Sequence, residues 1–208
     1  MLDLSEAEIA RRLATALDSA ARDPYLEFPA LPQFLADVPK PASVLIPFLH
    51  DRTGWQILLT RRHSDLPEHS GQVAFPGGRA DPEDTTPEQT ALREAYEEIG
   101  LRQSDVHLLG RLQDYLTITN YRVTPVVGVM PWPYPLHPAE DEVSRIFTIP
   151  LDWLAQPANH EERLRLLPSP HPPAQVVYFQ PYDGEVLWGA SARMTLNLIQ
   201  ALASANQS

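Results

Sequence analysis

Three glutamates at helical spacing, Glu94, Glu97 and Glu98, are the residues of this 208-residue chain best suited to chemistry. At about 100° per residue they fall within one arc of roughly 100°, with Leu92, Ala95 and Ile99 on the opposite side. The expectation is a helix whose apolar face packs on a core while its carboxylates look outward. Like charges at these spacings repel: at ~6 Å Coulomb's law gives about 0.7 kcal/mol per pair in water and about 3 kcal/mol at an effective dielectric near 20. In solvent the cluster is tolerable and would be an ordinary acidic surface. In a cleft it calls for a cation, and hard cations such as Mg²⁺ favour oxygen ligands. Context favours the cleft, because Arg93 adjoins the cluster and a Gly77-Gly78 pair and Asp84 precede it at short range.

The elements that must position these residues are legible in part. Thr86 is an N-cap, Pro87 suits the first helical position, Gln89 completes a capping box, and Gly100 stands where a left-handed C-terminal cap belongs. Upstream, 43–50 and 55–60 read as strands joined by the turn-rich Asp51-Arg52-Thr53-Gly54. Arg61 and Arg62 are neighbours on the second of these, so they point to opposite faces. Further strands are expected at 106–116, 123–130, 145–149, 175–180 and 185–188. A first helix opens with the capping box Ser5 to Glu8, carries Ile9, Leu13 and Leu17, and should end near residue 21. A last helix should cover 190–203. Strands interleaved with few helices give an α/β or α+β fold with a mixed sheet. The organisation expected is a helix and proline-rich lead-in over 1–35, followed by one domain over 36–208.

Composition bounds the rest. Proline is abundant, 22 against 9 glycines, and 14 of the prolines cluster at 24–47, 131–138 and 168–173, which therefore read as connections. The hydrophobic share of 43% is that of a chain with a real core, which excludes collagen-like and disordered classes. With no cysteine, thiolate catalysis and Cys-ligated metals are excluded, and a reducing, cytoplasmic setting is expected. No signal peptide or membrane-length apolar run is evident. The net charge of −11 argues against nucleic acid as partner and leaves small phosphorylated molecules open if a metal supplies positive charge. A homodimer is compatible with all of this.

The stretch from Gly78 to Leu101 resembles the Nudix box, G-x5-E-x7-R-E-U-x-E-E-x-G-U with U aliphatic. Arg93-Glu94-Ala95-Tyr96-Glu97-Glu98-Ile99-Gly100-Leu101 meets every defined position, taking alanine as U. Asp84 stands where the box has its first glutamate, with eight residues before Arg93 rather than seven. Leu58-Leu59-Thr60, Arg62, Gly71 and Phe75-Pro76-Gly77-Gly78 are similar to the L-L-T-x-R-S/A-x3-R-x3-G-x3-F-P-G-G signature of coenzyme A diphosphatases within that family, with His63 and Pro67 departing from it. Further likeness extends the resemblance to roughly residues 40 to 200.

The resemblance implies a Nudix fold, a mixed sheet between helices, and hydrolysis of a diphosphate linked to a nucleoside. It implies Glu94, Glu97 and Glu98 as ligands of Mg²⁺ or Mn²⁺, one of them (Glu97 is the first candidate) alternatively taking a proton from the attacking water. Arg93 would orient a carboxylate rather than touch substrate, Asp84 would hold its loop, and Glu142, in the acidic Glu140-Asp141-Glu142 turn, is a candidate for an additional ligand or base. Arg62 is favoured over Arg61 for a substrate phosphate, and Gly77 and Gly78 would allow a tight turn and close approach. The implied substrate is coenzyme A or its thioesters. ADP-ribose or NADH is the alternative, though Pro131-Trp132-Pro133-Tyr134-Pro135 lacks the Ser-Gln that precedes such a string in NADH diphosphatases and reads as loop. A catalytically silent nucleotide sensor is a third reading, against which stand all three glutamates.

Overall fold

The computed structural model describes residues 4–19, 38–63, 71–167 and 171–203. Helix α1 (Glu6–Ser19) is capped by Ser5, whose hydroxyl accepts from the Glu8 amide at 3.2 Å. Ile9 and Leu13 are fully buried, whereas Leu17 of the same expected stripe is exposed. The expected end near residue 21 and the lead-in up to residue 37 lie outside the described residues.

The centre of the molecule is β1 (Lys40–Asp51). It pairs antiparallel with β2 (Gly54–Arg62) and parallel with β7 (Tyr121–Val129). Asp51 stabilises the β1–β2 turn by accepting from the Thr53 amide at 2.7 Å. Short β3 (Val73–Ala74) and long β8 (Val143–Pro150) pair with β2, while β5 (His107–Arg111) and β6 (Tyr115–Leu116) pair with β7. A further short strand, β4 (Gly77–Arg79), pairs antiparallel with the first half of β1. The result is one mixed eight-stranded sheet.

Strand alternation sends side chains to two layers. Ile46, Phe48, Ile57, Leu59 and Val127 pack on the side that also buries Ile9 and Leu13 of α1 and Leu198 and Leu202 of α4 (Gly189–Ala203). Leu45, Leu49, Leu58 and Val126 pack on the other side, against Ala91, Ala95 and Ile99 of α2 (Pro87–Ile99). The sheet thus lies between helices. Helix α1 shares the core of the domain that follows it and lies against β5 and α4. A separate hairpin of β9 (His160–Arg165) and β10 (Ala174–Phe179) precedes α4, after the one-turn α3 (Leu151–Leu154). No described helix is long and apolar enough to cross a membrane.

Several expectations are corrected. The single strand at 106–116 is two, β5 and β6, with 112–114 between them; β5 itself carries a register shift between Leu108 and Gly110, the latter at φ +150°. Residues 185–188 form only isolated bridges, Tyr182 to Glu185 and Tyr178 to Trp188. Pro41 and Pro47 lie inside β1 rather than in connections. Pro47 is tolerated because it falls in a gap, after Leu45 donates to the Pro76 carbonyl and before β2 pairing begins at Phe48.

Candidate active site

Helix α2 is fixed at both ends by its own sequence. The Thr86 hydroxyl accepts from the Gln89 amide at 3.3 Å, and Gly100 closes the helix at φ 70°, donating to the Tyr96 carbonyl at 2.9 Å. Gln89 reaches one residue further than a capping box requires, accepting from the Thr85 amide at 2.7 Å. Because the apolar face is pinned by Ala91, Ala95 and Ile99, the glutamates cannot rotate away from what lies above them.

What lies above is β4 and the loop that follows Met130. The outward carboxylate face expected from the sequence is therefore only partly outward: Glu97 has 54% of its side chain exposed, but Glu98 is 3% exposed and Glu94 is half-buried. A Cβ on Gly78 would stand 2.5–2.6 Å from the Glu94 carboxylate, so the absent side chain is what admits that carboxylate. Gly77 is packed against β1 instead; its Cβ would meet the Ser43 carbonyl at 2.5 Å and the Val44 Cα at 2.6 Å.

Arg93 binds the cluster together. Its Nη1 donates to Glu94 Oε1 and Glu97 Oε2, both at 2.9 Å, and its Nη2 to Asp84 Oδ2 and the Arg79 carbonyl, also both at 2.9 Å. Asp84 is nearly buried, and hydrogen bonding from Arg93 holds its carboxyl below the usual range despite burial. It also accepts from the Asp81 amide at 3.0 Å, so it closes the loop before α2 rather than joining the glutamates. Burial raises the Glu94 carboxyl. Burial likewise pushes Glu98 up to about 8; Arg62, whose Nη1 lies 3.4 Å from Glu98 Oε1, opposes this, and the charges of Glu94 and Glu142 add to it. The loop that carries Glu142 runs beside the cluster. It is tied down by Ala139 donating to the Glu98 carbonyl at 2.9 Å and by His63 donating to the Glu142 carbonyl at 2.8 Å.

Three acidic side chains, Glu94, Glu97 and Glu98, therefore stand where α2 meets β4, with Glu142 on the neighbouring 139–142 loop. Among the described residues no three of them stand at ready-made metal-ligating geometry, since Arg93 and Arg62 occupy their oxygens. The donor set is all oxygen, and a buried carboxyl that resists ionisation is the group a hard divalent cation would most stabilise in charged form. The donor chemistry suits such an ion, while the present arrangement of the oxygens, held by Arg93 and Arg62, does not yet ligate one.

Arg62 and Arg61 diverge as strand geometry requires. Arg62 turns towards Glu98 and its Nε is buried without a hydrogen-bond partner, while Arg61 pairs with Glu185 at 3.5 Å beside Arg145. Pro67 and His69 lie outside the described residues. A cleft of about 870 Å³ adjoins the cluster. Arg62, Gly77, Gly78 and Arg79 form its near wall, Tyr115 and Tyr121 its side, and Leu166, Trp188 and Met194 its other wall. The sequence reading missed Arg79, although it directly follows Gly78, and β9, whose run His160-Glu161-Glu162-Arg163-Leu164-Arg165 has no apolar alternation to announce a strand; its partner β10 is the strand expected at 175–180.

Comparison with known proteins gives the family. Residues 39–170 match the model of the NUDIX domain. Over 160 residues the chain is 40% identical to an uncharacterized Nudix hydrolase NudL of Yersinia pestis (strain Pestoides F), spanning 76% of this chain and 78% of that protein. The same figures hold for NudL of Yersinia pseudotuberculosis serotype O:1b (strain IP 31758). Among solved structures, the Nudix hydrolase RenU of M. smegmatis aligns with 56% of this chain and 73% of its own at 23% identity, with a TM-score of 0.48. The chain belongs to the Nudix hydrolase family, whose members act on nucleoside diphosphate derivatives and generally use divalent metals such as Mg²⁺ or Mn²⁺.

Proposed function

We propose that this Nudix hydrolase cleaves the diphosphate of coenzyme A or its thioesters. The observation that carries the reading is the cleft: it begins at Arg62, Gly77 and Gly78 beside the glutamates and continues along a largely apolar wall that includes Val73, Phe75, Leu166 and Met194. At about 870 Å³ it is near the upper end of small-molecule sites, roughly 300–1,000 Å³. A diphosphate at the near wall would leave room for a long, weakly polar arm such as pantetheine. The resemblance of Leu58-Leu59-Thr60, Arg62 and Phe75-Pro76-Gly77-Gly78 to the coenzyme A diphosphatase signature points the same way.

In this mechanism Glu94, Glu97 and Glu98, with Glu142 as a further donor, hold one or more divalent cations. When bound, these lower the pKa of water and neutralise charge on the phosphoryl oxygens. Arg93 keeps the Glu94 and Glu97 carboxylates aimed. Glu97, the most exposed of the three, is the first candidate to accept the proton of the attacking water in place of a ligand role. Arg62 steadies the substrate's diphosphate from the cleft side. Water adds to one phosphorus, the bridging P–O bond breaks, and two phosphate monoesters leave: 3′,5′-ADP and 4′-phosphopantetheine or its acylated form. The test is turnover of coenzyme A, ADP-ribose and NADH by purified protein in Mg²⁺. Coenzyme A should have the highest kcat/KM; comparable or faster cleavage of ADP-ribose or NADH would remove the assignment.

A further inference from the structure

A ladder of side chains runs from the β9–β10 hairpin to Trp188, and its Arg165 and Trp188 line the second wall of the cleft. Arg163 lies over the Tyr178 ring at 4.9 Å, Tyr178 stacks on Trp188 at 5.6 Å and 5°, and Arg165 lies over Trp188 at 4.8 Å. Arg165 also donates from Nη1 to the Tyr178 hydroxyl at 3.3 Å. The ladder's two ends differ in charge balance. Arg163 is paired with Glu161, whereas Arg165 has no carboxylate partner among the described residues.

Among the described arginines most hold a carboxylate; Arg52, Arg79 and Arg165 do not, and of these Arg165 is the one held by stacking on an aromatic ring. With a net charge of −11, carboxylates are plentiful, and Arg61, Arg111, Arg145 and Arg193 each hold one. An arginine that is restrained without being neutralised is a guanidinium set out for an anion. Stacking on tryptophan is worth about 0.5–1 kcal/mol at exposed sites and limits the rotamers that binding must otherwise freeze. The planar fork so presented matches phosphate oxygens. Arg165 lines the same cleft as Arg62 and Arg79 but stands on the hairpin rather than beside the glutamates.

We propose that Arg165 is a specificity-determining residue that binds a second anionic group of the substrate, separate from the diphosphate undergoing cleavage. The inference rests on the coenzyme A reading, in which the second group is the nucleotide's 3′-phosphate. It makes the substrate a two-point ligand: the diphosphate at Arg62 and the glutamates, the 3′-phosphate at the hairpin, and the apolar wall for the remainder.

The test compares coenzyme A with dephospho-coenzyme A, which lacks only the 3′-phosphate. The wild type should favour coenzyme A in kcat/KM by about tenfold or more at low ionic strength, the margin a charge-assisted hydrogen bond supplies, and the margin should shrink with salt. In Arg165→Gln that ratio should fall towards about one, chiefly through KM for coenzyme A, and Arg165→Lys should restore part of it. Titration with the product 3′,5′-ADP against 5′-AMP should show the same loss of discrimination without turnover. A wild type that treats both substrates alike, or a ratio that Arg165→Gln leaves intact, overturns the role of Arg165 while the coenzyme A reading stands. Cleavage of neither form, with ADP-ribose hydrolysed, overturns that reading and the inference together.

Discussion

Glu98 combines two properties that pull apart under mutation. It is a carboxyl buried at 3% exposure whose burial disfavours its charge, and it belongs to the acidic cluster. Glu98→Gln keeps the shape and removes the ionisable group. Its melting temperature in metal-free buffer should therefore equal or exceed that of the wild type, while turnover with Mg²⁺ should fall by more than the ~10–100-fold typical of losing an outer partner of a metal ligand. Wild-type-like turnover would rule out its role as a ligand. The adjacent glycines separate in the same manner. Alanine at Gly78 meets only the end of the flexible Glu94 side chain, so it should displace that carboxylate and cost activity with little loss of stability. Alanine at Gly77 meets β1 backbone and should destabilise by about 1–3 kcal/mol, read by urea unfolding. Asp84 gives a pH signature. Its folded-state pKa lies below the unfolded one, so its contribution is present above the unfolded value near 3.9 and is lost as pH falls through the folded value. Asp84→Asn should lower stability at neutral pH by about 1–3 kcal/mol and reduce the slope of stability against pH at the acid end; an unchanged slope would mean the Arg93 pairing contributes nothing.

At the scale of elements, what the sequence discloses is what is local. Helix α2 is readable because both caps and the apolar stripe sit within the segment they specify, and Thr86→Ala should cost about 1 kcal/mol by thermal melt. The divergence of Arg61 from Arg62 is readable because strand side chains alternate. The burial of Glu98 is not, because it depends on β4 and on a loop about forty residues downstream that hydrogen-bonds to the end of α2. Nor is β4 itself: Gly77-Gly78-Arg79 has no strand propensity and pairs only because β1 offers an unpaired edge there. Strand β9 escapes notice for a related reason, since nearly all of it is exposed and its pattern carries no inside–outside alternation, whereas its partner β10 is legible. The arginine ladder that depends on β9 was equally hidden.

For the molecule as a whole, the sheet is a partition. Leu13 of α1 is fully buried on the side away from α2, so Leu13→Ala should cost about 2–5 kcal/mol of stability yet leave kcat of the folded fraction at saturating substrate near the wild-type value. A large change in kcat would show that the two layers are mechanically linked. If they are not, the partition has a consequence for how the enzyme can change. The glutamates stand over the layer formed by Leu45, Leu58, Ala91, Ala95 and Ile99, whereas the cleft draws Val73, Phe75, Val123, Val177 and Met194 from the opposite layer. Substitutions in one layer and the other share no packing partner and should combine additively. Recognition can then drift from one acyl or nucleotide group to another while the hydrolytic half is inherited intact, because only β1 and its immediate neighbours answer to both.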